Sequence, residues 1–587
     1  MTHSEWGLPF GANVVDRNRT QFRLWAPAQS EVSLKIDGRA ALPMTPHNRG
    51  WFEVEADCGA GARYRYILQD GTAVPDPASR AQDNDVHGAS IVVDPRAYTW
   101  RQSQWRGRPW HEAVVYELHV GLMGGFAGAA RALPRLSALG VTAVELMPIA
   151  EFPGARNWGY DGTLPFAPEH SYGLPNDLRA LVDAAHEHGL MIFLDVVYNH
   201  FGPDGNYLSL YAPDMFRADV STPWGPAIDF RRDEARRFFT ENALYWLIEY
   251  HFDGLRFDAV HAITEADWLD EMAAEVRRTV APERQVHLVL ENDNNAASHL
   301  ARGFDAQWND DGHHVLHVLL TGESAGYYRD YADDPAERLA RCLKEGFVYQ
   351  GEPSVHRGGK PRGTRSAALP PTAFVLFLQN HDQVGNRAFG ERLTTLADPR
   401  ALEAAIALQL ICPQIPLIFV GEEDASTSPF LFFTDHNAAL ADAVREGRRR
   451  EFSSFPQFSD QKLLAALPDP NAVATFEQSQ PHPDPAGSAR RFELYQRLLD
   501  IRRREIIPHL KGARAIDANA PGRASVVASW RMADDSLLTI ACNLGADEVE
   551  FLMPHGALLF ASSDTAARRA ASGRLVPYST VAVLGRT

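Results

Sequence analysis

The 587-residue sequence predicts an α/β protein, in which a (β/α)₈ TIM barrel is flanked by an N-terminal Ig-like β-sandwich and a small C-terminal β domain. The first 95 or so residues alternate apolar and polar side chains with a period of two. The middle of the chain has short apolar runs separated by helical segments, and the period of two returns after about residue 514. The predicted domain limits are therefore 1–95, 96–513 and 514–587.

Strand periodicity is clearest in residues 31–37 of the N-terminal region. Val32, Leu34 and Ile36 fall on one side of an extended chain, and the polar residues between them fall on the other. Neighbouring segments behave similarly and are separated by Gly and Asp turns. Short strands at this spacing are typical of a small β-sandwich.

The barrel is predicted from eight apolar runs, at residues 114–120, 141–148, 190–197, 252–260, 286–292, 304–310, 372–380 and 416–423. Amphipathic stretches lie between them, and the last helix is expected near 491–510. Eight strands with helices between them fit a closed barrel better than an open sheet. Two connections, at about 198–251 and 311–371, are long, and loops of this kind usually build a cleft.

Charge and composition narrow the function classes. Lys and Arg number 57 and Asp and Glu 75, so the net charge is −18, which argues against a nucleic-acid or anionic-membrane partner. The start of the chain has no secretory signal pattern, and the most apolar stretch, 405–421, is too interrupted to span a membrane. The four cysteines form no CxxC pair and favour a reducing compartment. We therefore predict a cytoplasmic protein.

Acidic residues fall at the ends of four predicted strands. Asp195, Asp258 and Glu291 each close an apolar run, and Asp382 follows another. A single Asp after a strand is more often a helix cap or turn residue. Because the carboxyl ends of barrel strands converge on one face, four such residues together predict an active site there.

Paired carboxylates in one pocket suit the cleavage of glycosidic bonds. Arg256 and Asp258 lie two residues apart on a strand, so their side chains share a face, and the guanidinium favours the ionised, nucleophilic form of the carboxyl. Glu291 follows an apolar run, and desolvation favours its protonated, acid form. The alternative that Arg256 and Asp258 form a purely structural ion pair inside the barrel remains open.

Aromatic and histidine side chains complete the candidate site. Trp158 and Tyr160 suit stacking on a sugar ring, although core packing is an equal alternative. His200 and His381 adjoin strand ends, where they can donate to sugar hydroxyls. No group of residues has convincing metal-ligand spacing, so no metal and no cofactor are predicted.

Four segments resemble, in order, the signature regions of the α-amylase family of glycoside hydrolases: DVVYNH (195–200), GLRFDAVH (254–261), LEND (290–293) and FLQNHDQ (377–383). This resemblance implies that Asp258 is the nucleophile, Glu291 the general acid/base and Asp382 a transition-state stabiliser. It also implies that four further residues line the subsite of the cleaved sugar: Tyr160, His200, Arg256 and His381.

Within that family, the whole chain resembles the members that hydrolyse the α-1,4 bond next to the terminal trehalose unit of maltooligosyltrehalose. Maltooligosyltrehalose and related α-1,4-glucans are then the expected partners, and further substrate contacts are expected from His261, Asp311, His313, His314, Gln383 and Asn386. Many α-amylases bind calcium through the residue matching Asn199, but this subgroup is not expected to need it.

Two rival functions remain open on the sequence. A glucan branching enzyme shares the sandwich and the barrel but transfers the glycosyl group to another sugar, and a non-catalytic glycan-binding barrel usually lacks one catalytic carboxylate. The N-terminal domain either caps the barrel or binds glycan itself. We favour the cap, because no ordered aromatic platform is present in its sequence.

Overall fold

The computed structural model describes residues 6–222, 224–453, 461–552 and 555–585. It confirms the predicted fold class, with eight parallel strands closed into a barrel between an N-terminal pair of β-sheets and a C-terminal β domain. The domain limits proposed above stay predictions. None of the described helices combines the length and apolar composition that a membrane crossing requires.

The N-terminal region forms two antiparallel sheets, ordered β1-β2-β6-β5 and β4-β3-β7-β8, with β9 paired to β7. Their strands are β1 (Gly11–Asp16), β2 (Arg19–Trp25), β3 (Val32–Ile36), β4 (Leu42–Pro43), β5 (Thr45–His47), β6 (Trp51–Ala56), β7 (Arg63–Leu68), β8 (Ala73–Val74) and β9 (Ser90–Ile91). Burial alternates along β3 as its periodicity predicts. A buried ion pair joins this region to the barrel, with Arg80 Nε 3.3 Å from Glu249 Oε1.

The barrel strands run in the order β10-β11-β14-β17-β18-β19-β20-β21, and β21 closes on β10. The strands of this region are β10 (Val115–Leu118), β11 (Ala143–Leu146), β12 (Ala150–Glu151), β13 (Leu164–Pro168), β14 (Met191–Val196), β15 (Phe216–Thr222), β16 (Gly225–Ile228), β17 (Gly254–Phe257), β18 (His287–Leu290), β19 (Ala306–Trp308), β20 (Phe374–Phe377) and β21 (Ile415–Phe419). Seven barrel strands lie inside their predicted apolar runs, and β21 begins one residue before its run, so the strand predictions are confirmed. The pairs β12–β13 and β15–β16 are excursions in the loops after the second and third barrel strands.

The helices of the barrel region are α1 (Gly125–Leu139), α2 (Pro175–Glu187), α3 (Leu208–Tyr211), α4 (Asp233–Ile248), α5 (Asp267–Thr279), α6 (Ala297–Leu300), α7 (Asp310–Thr321), α8 (Pro335–Glu345), α9 (His381–Gly385), α10 (Leu393–Leu396), α11 (Pro399–Ile411), α12 (Ala438–Ser453), α13 (Gln461–Ala465), α14 (Val473–Gln478) and α15 (Ser488–Ile501). The predicted last helix is therefore shorter than expected as an α-helix. Its remainder, Arg502–Ile506, has the wider π-helical winding.

The C-terminal domain is a sheet ordered β22-β23-β24-β28-β26, with a second pair, β25–β27. Its elements are β22 (Arg514–Gly522), β23 (Ser525–Arg531), β24 (Leu537–Asn543), β25 (Val549–Glu550), β26 (Ala557–Ala561), α16 (Asp564–Ala571), β27 (Arg574–Leu575) and β28 (Ser579–Gly585). The sheet contacts α11 of the barrel, where Thr580 donates to the Ala404 carbonyl at 2.7 Å.

Candidate active site

Two acids follow directly after neighbouring barrel strands. Strand β17 ends at Phe257 and β18 at Leu290, so Asp258 and Glu291 are the next residues of each. Main-chain hydrogen bonds continue the barrel ladder past both strands, from Asp258 N to the Val196 carbonyl and from Glu291 N to the Phe257 carbonyl, each at 3.0 Å. The backbone therefore holds both carboxylates at the same edge of the barrel.

Arg256 joins the acids of this edge. Its guanidinium is fully buried, and Nη1 donates to both oxygens of Asp195 at 2.9 and 2.8 Å and to Asp258 at 3.0 Å. Nη2 donates to Glu291 at 2.9 Å. The guanidinium lies 4.2 Å from the ring centroid of Trp308, which supports it from one face. Arg256 and Asp258 thus form an ion pair inside the barrel, and the same guanidinium also pairs with Glu291.

The residue after Asp258 has an unusual backbone conformation. Ala259 has φ 40°, in the left-handed region that a residue with a Cβ rarely adopts. This conformation aims the Ala259 amide at Glu291, to which it donates at 2.7 Å. Strain of this kind costs about 1–3 kcal/mol and persists where surrounding contacts determine it.

The pKa values of the two acids shift in opposite directions. Burial raises the pKa of Asp258 well above its usual range, and the charge of Glu291 raises it further. Burial also acts to raise the pKa of Glu291, but Arg256, His261 and the Ala259 amide outweigh it and lower this pKa. Both directions are the reverse of those expected from the sequence, because Arg256 pairs with both carboxylates rather than with Asp258 alone.

Tyr160 and His381 form one wall of the site. The rings stack with centroids 5.1 Å apart, and the Tyr160 hydroxyl lies 2.7 Å from His381 Nε2 and 2.6 Å from Asp195 Oδ2. His381 also contacts Glu117 of β10, with Nδ1 2.5 Å from Oε1. Sequence reasoning missed Glu117, since a charge inside an apolar run has no local partner to reveal it.

Asp382 lies nearer the opening of the site than the other two acids. Its side chain is 37% exposed, against 16% for Glu291 and 11% for Asp258. It lies in the first turn of the short helix α9, and Asn386, which follows that helix, donates to it at 3.1 Å. Gln383 lies beside them and accepts from the Tyr327 hydroxyl at 3.5 Å. Asp382, Gln383 and Asn386 are therefore together at the mouth of the cleft.

His200 lies on the other side of Tyr160. Its Nε2 donates to the Tyr160 carbonyl at 2.9 Å, and burial lowers its pKa to about 4, so the ring is neutral. Trp224, next to β16, stacks on the His200 ring at 4.5 Å and is 44% exposed. Sequence reasoning did not single out Trp224; an aromatic residue between the prolines at 223 and 226 of the sequence was the available signal. Trp158, by contrast, is buried and stacks on Phe430.

The remaining sequence-derived contacts divide into two groups. His261 is exposed next to Glu291, and its ring accepts from Asp293 N at 3.3 Å. Asp311 and His313 are at most 1% exposed. The Asp311 oxygens accept from Asn295, Tyr331, Arg362 and the amides of Val348 and Tyr349. These contacts argue against a direct substrate role for Asp311.

The neighbouring Asp310 is half-buried, whereas Asp311 is fully buried. Burial and then the charge of Glu291 raise the pKa of Asp310 well above its usual range. His313 is held inside by the Leu378 carbonyl at 2.7 Å and by stacking on Phe377, and His314 packs among Tyr327, Tyr328 and Tyr331. Residues 311, 313 and 314 thus support the wall of the cleft.

Asn199 is buried, and neither atom of its side-chain amide has a hydrogen-bond partner among the described residues. Within the same residues, one group of three His, Cys, Asp or Glu side chains is close enough to share an ion, namely Glu151, Glu169 and His170. The expectation that the protein needs no metal stays a prediction.

Comparisons with known proteins agree with this architecture. A family model described as the α-amylase catalytic domain matches residues 81–211, and one for a domain of unknown function, DUF3459, matches residues 513–582. A malto-oligosyltrehalose trehalohydrolase of Deinococcus radiodurans is 42% identical over 86% of this chain and 83% of that protein. A crystal structure of a putative α-amylase from Salmonella typhimurium has a TM-score of 0.93 at 42% identity, covering 99% of this chain and 100% of that one. A 1,4-α-glucan branching enzyme of Corynebacterium jeikeium is 33% identical, but over 45% of this chain and 41% of that enzyme.

The barrel and its match to the α-amylase catalytic domain place this protein among the α-amylase-type glycoside hydrolases, which confirms the predicted enzyme class. Similarity to the branching enzyme stops short of half of either chain, whereas similarity to the Deinococcus protein extends over most of both. The chain belongs to the malto-oligosyltrehalose trehalohydrolase family.

Proposed function

We propose that this protein is a retaining glycoside hydrolase that cleaves the α-1,4-glucosidic bond next to the terminal trehalose unit of maltooligosyltrehalose. Membership of the family above and the sharing of one guanidinium by Asp258 and Glu291 support this proposal. That the protein acts on α-glucans is the general part of this proposal, and that it cleaves next to the trehalose end is the specific part. Two expectations stay predictions: that no nucleic acid or membrane is a partner, and that the protein is cytoplasmic. The four buried, free cysteines are compatible with the second.

In the first step, an Asp258 oxygen attacks the anomeric carbon of the glucosyl unit that precedes trehalose. The bond from that carbon to the bridging oxygen breaks, and Glu291 gives its proton to this oxygen, which leaves as part of trehalose. In the second step, Glu291 takes a proton from water, the water oxygen attacks the same carbon, and Asp258 is released as a carboxylate. The products are trehalose and a shortened maltooligosaccharide.

Asp258 must be ionised and Glu291 protonated before this chemistry, which is the reverse of the direction in which their pKa values shift in the unliganded site. Arg256 contacts both carboxylates, so a proton can pass between them while the guanidinium stays paired with an ionised group. Positive charge that develops on the anomeric carbon favours the ionised form of the nearer acid, Asp258. Asp382 and neutral His200 are proposed to hold the hydroxyls of the same sugar.

The decisive assay compares maltooligosyltrehalose with a plain maltooligosaccharide of matched length. We expect trehalose release from the first substrate to be much faster than hydrolysis of the second. New α-1,6 branches in amylose would support the branching enzyme instead, and glycan binding without any hydrolysis would support a non-catalytic barrel. Retention is checked by following the anomeric configuration of the new reducing end by NMR.

A further inference from the structure

Glu117 lies behind the site and has no part in the reaction proposed above. It is on β10 and is 1% exposed, and both of its carboxylate oxygens contact the same residue, His381. Its Oε2 accepts from the His381 amide at 3.0 Å, and its Oε1 lies 2.5 Å from His381 Nδ1. Glu117 therefore fixes both the main chain and the ring of His381.

The charge of His381 follows from the number of protons that its hydrogen-bond chain requires. Nε2 lies 2.7 Å from the Tyr160 hydroxyl, which lies 2.6 Å from Asp195 Oδ2. Arg256 donates to both Asp195 oxygens, so Asp195 acts as an acceptor, and the one proton of the Tyr160 hydroxyl points to it. His381 Nε2 must then donate to Tyr160, while Nδ1 donates to Glu117. A ring that donates from both nitrogens is an imidazolium.

We propose that Glu117 is a positioning residue that keeps His381 charged and thereby directs the Tyr160 hydroxyl toward Asp195. The proposal rests on the function proposed above, because the charged His381 ring is given a role beside the sugar that is cleaved. Its basis is the two-oxygen contact of Glu117 with His381 and the single possible direction of the hydrogen bonds that follow it.

The other charged and titratable groups around His381 agree with this assignment. They come from every neighbouring element: His119, Glu145, Asp195, Arg256, Glu291 and Asp382. Burial and Arg256 act to lower the pKa of His381, but Glu117 and Asp382 outweigh them and raise it to about 9. Without Glu117, burial would prevail, and the ring would lose its proton at a lower pH.

Glu117→Gln is therefore expected to move the titration of His381 down by about one pH unit or more. A neutral ring with its proton on Nδ1 offers Nε2 as an acceptor, so the Tyr160 hydroxyl turns toward it and Asp195 loses a donor. Above the new pKa we expect kcat to fall by about 10²-fold, the usual loss for a missing preorganised donor, with a smaller change in KM. The alkaline limb of the kcat profile should move to lower pH, and Glu117→Asp should restore part of the range.

The matched control is Glu145→Gln. Glu145 lies opposite Glu117 on β11, is 1% exposed, and its Oε1 has no partner among the described residues. Burial, Glu117 and Asp195 raise the pKa of Glu145 well above its usual range, which favours its neutral form, and an amide of the same shape keeps that charge. This variant should keep both the His381 titration and the kcat profile of the wild type.

The titration is measured directly by NMR of protein labelled at histidine ¹³Cε1, with the His381 signal assigned from its loss in His381→Gln. An unchanged His381 titration in Glu117→Gln would overturn the proposal, as would an equal loss of kcat at every pH, which indicates only structural damage. A shift in Glu145→Gln as large as in Glu117→Gln would also overturn it. Failure of the wild type to release trehalose would refute the proposed function but leave the NMR result standing, so the two failures are distinguishable.

Discussion

The two ends of the barrel are built from the same eight strands, and both are buried, yet one is lined by apolar side chains and the other by charged ones. The end where the strands begin is filled with apolar side chains, among them Val115, Met191 and Ile415, and half-buried Trp105 and Trp110 pack against these. The end where the strands finish holds Arg256 and its carboxylates. On β14 both ends occur within six residues, from fully buried Met191 to Asp195, which is 2% exposed.

This difference teaches that burial alone does not reveal what a residue contributes. Apolar burial at the first end stabilises the fold by about 25 cal/mol per Å². The other end works against stability: among the described residues, Arg256 Nε, His200 Nδ1 and Trp308 Nε1 are buried without partners, and Ala259 is strained. The barrel thus has a stabilising end and a chemical end, and the following substitutions test that division.

The largest effect is expected for Asp258→Asn at the chemical end. Loss of the nucleophile should lower kcat by about 10⁴-fold or more, because no other group can form the glycosyl-enzyme. The melting temperature should stay the same or rise, since the substitution removes a buried acid with a raised pKa. Trehalose release is measured together with thermal unfolding, and normal release by the variant would refute the assignment.

Arg256→Met should damage both properties. It leaves Asp195, Asp258 and Glu291 without their cation, and we expect a loss of about 3 kcal/mol in the free energy of unfolding. The loss should be greater at pH 8 than at pH 5, because protonated acids need no cation. Urea unfolding at the two pH values measures this, and Arg256→Lys is the control that keeps the charge without the fork. A pH-independent loss would contradict the role given to Arg256.

Met191→Ala probes the stabilising end. The lost apolar contacts and the resulting cavity should cost about 3 kcal/mol in the free energy of unfolding. Because Met191 lies four residues before Asp195, about 13 Å along the strand, kcat of the folded enzyme should be unchanged. Urea unfolding and kcat at low temperature are the measurements. A kcat loss at least as large as that of Arg256→Met would show that the two ends are not separable.

The smallest expected effect is a shift in the pH dependence of the first step in Glu291→Gln, a variant that loses the acid and base catalysis of the natural reaction. The charge of Glu291 raises the pKa of Asp258, so the substitution lowers that pKa. Asp258 must be ionised to attack, and the first step is lost as pH falls through its pKa; the acidic limb should therefore move to lower pH. An α-maltosyl fluoride substrate, whose fluoride leaves without a proton, keeps the first step measurable as a burst of fluoride, even though hydrolysis of the glycosyl-enzyme is slow without Glu291. A limb at the wild-type position would mean that the two acids are not coupled.

The sequence predicted much of the site because its signals are local. Asp258 and Glu291 were identified from the apolar runs that they close, and each lies one residue past the end of its strand. Asp311 shows the limit of such signals. It lies in the first turn of α7, and only the packing of that helix determines that its carboxylate accepts from Asn295 and from the amides of Val348 and Tyr349.

By itself, the sequence determined the eight strands, their order and the acids at their ends, because these depend on side-chain periods of two and 3.6 and on residues adjacent in the chain. Tertiary structure alone decided that Arg256 pairs with three carboxylates, that the pKa values of Asp258 and Glu291 shift in opposite directions, and that Glu117 contacts His381. The last two residues are 264 positions apart. Such contacts arise only when the sheet closes into a barrel, and the charge of each group then depends on neighbours that no local pattern brings together.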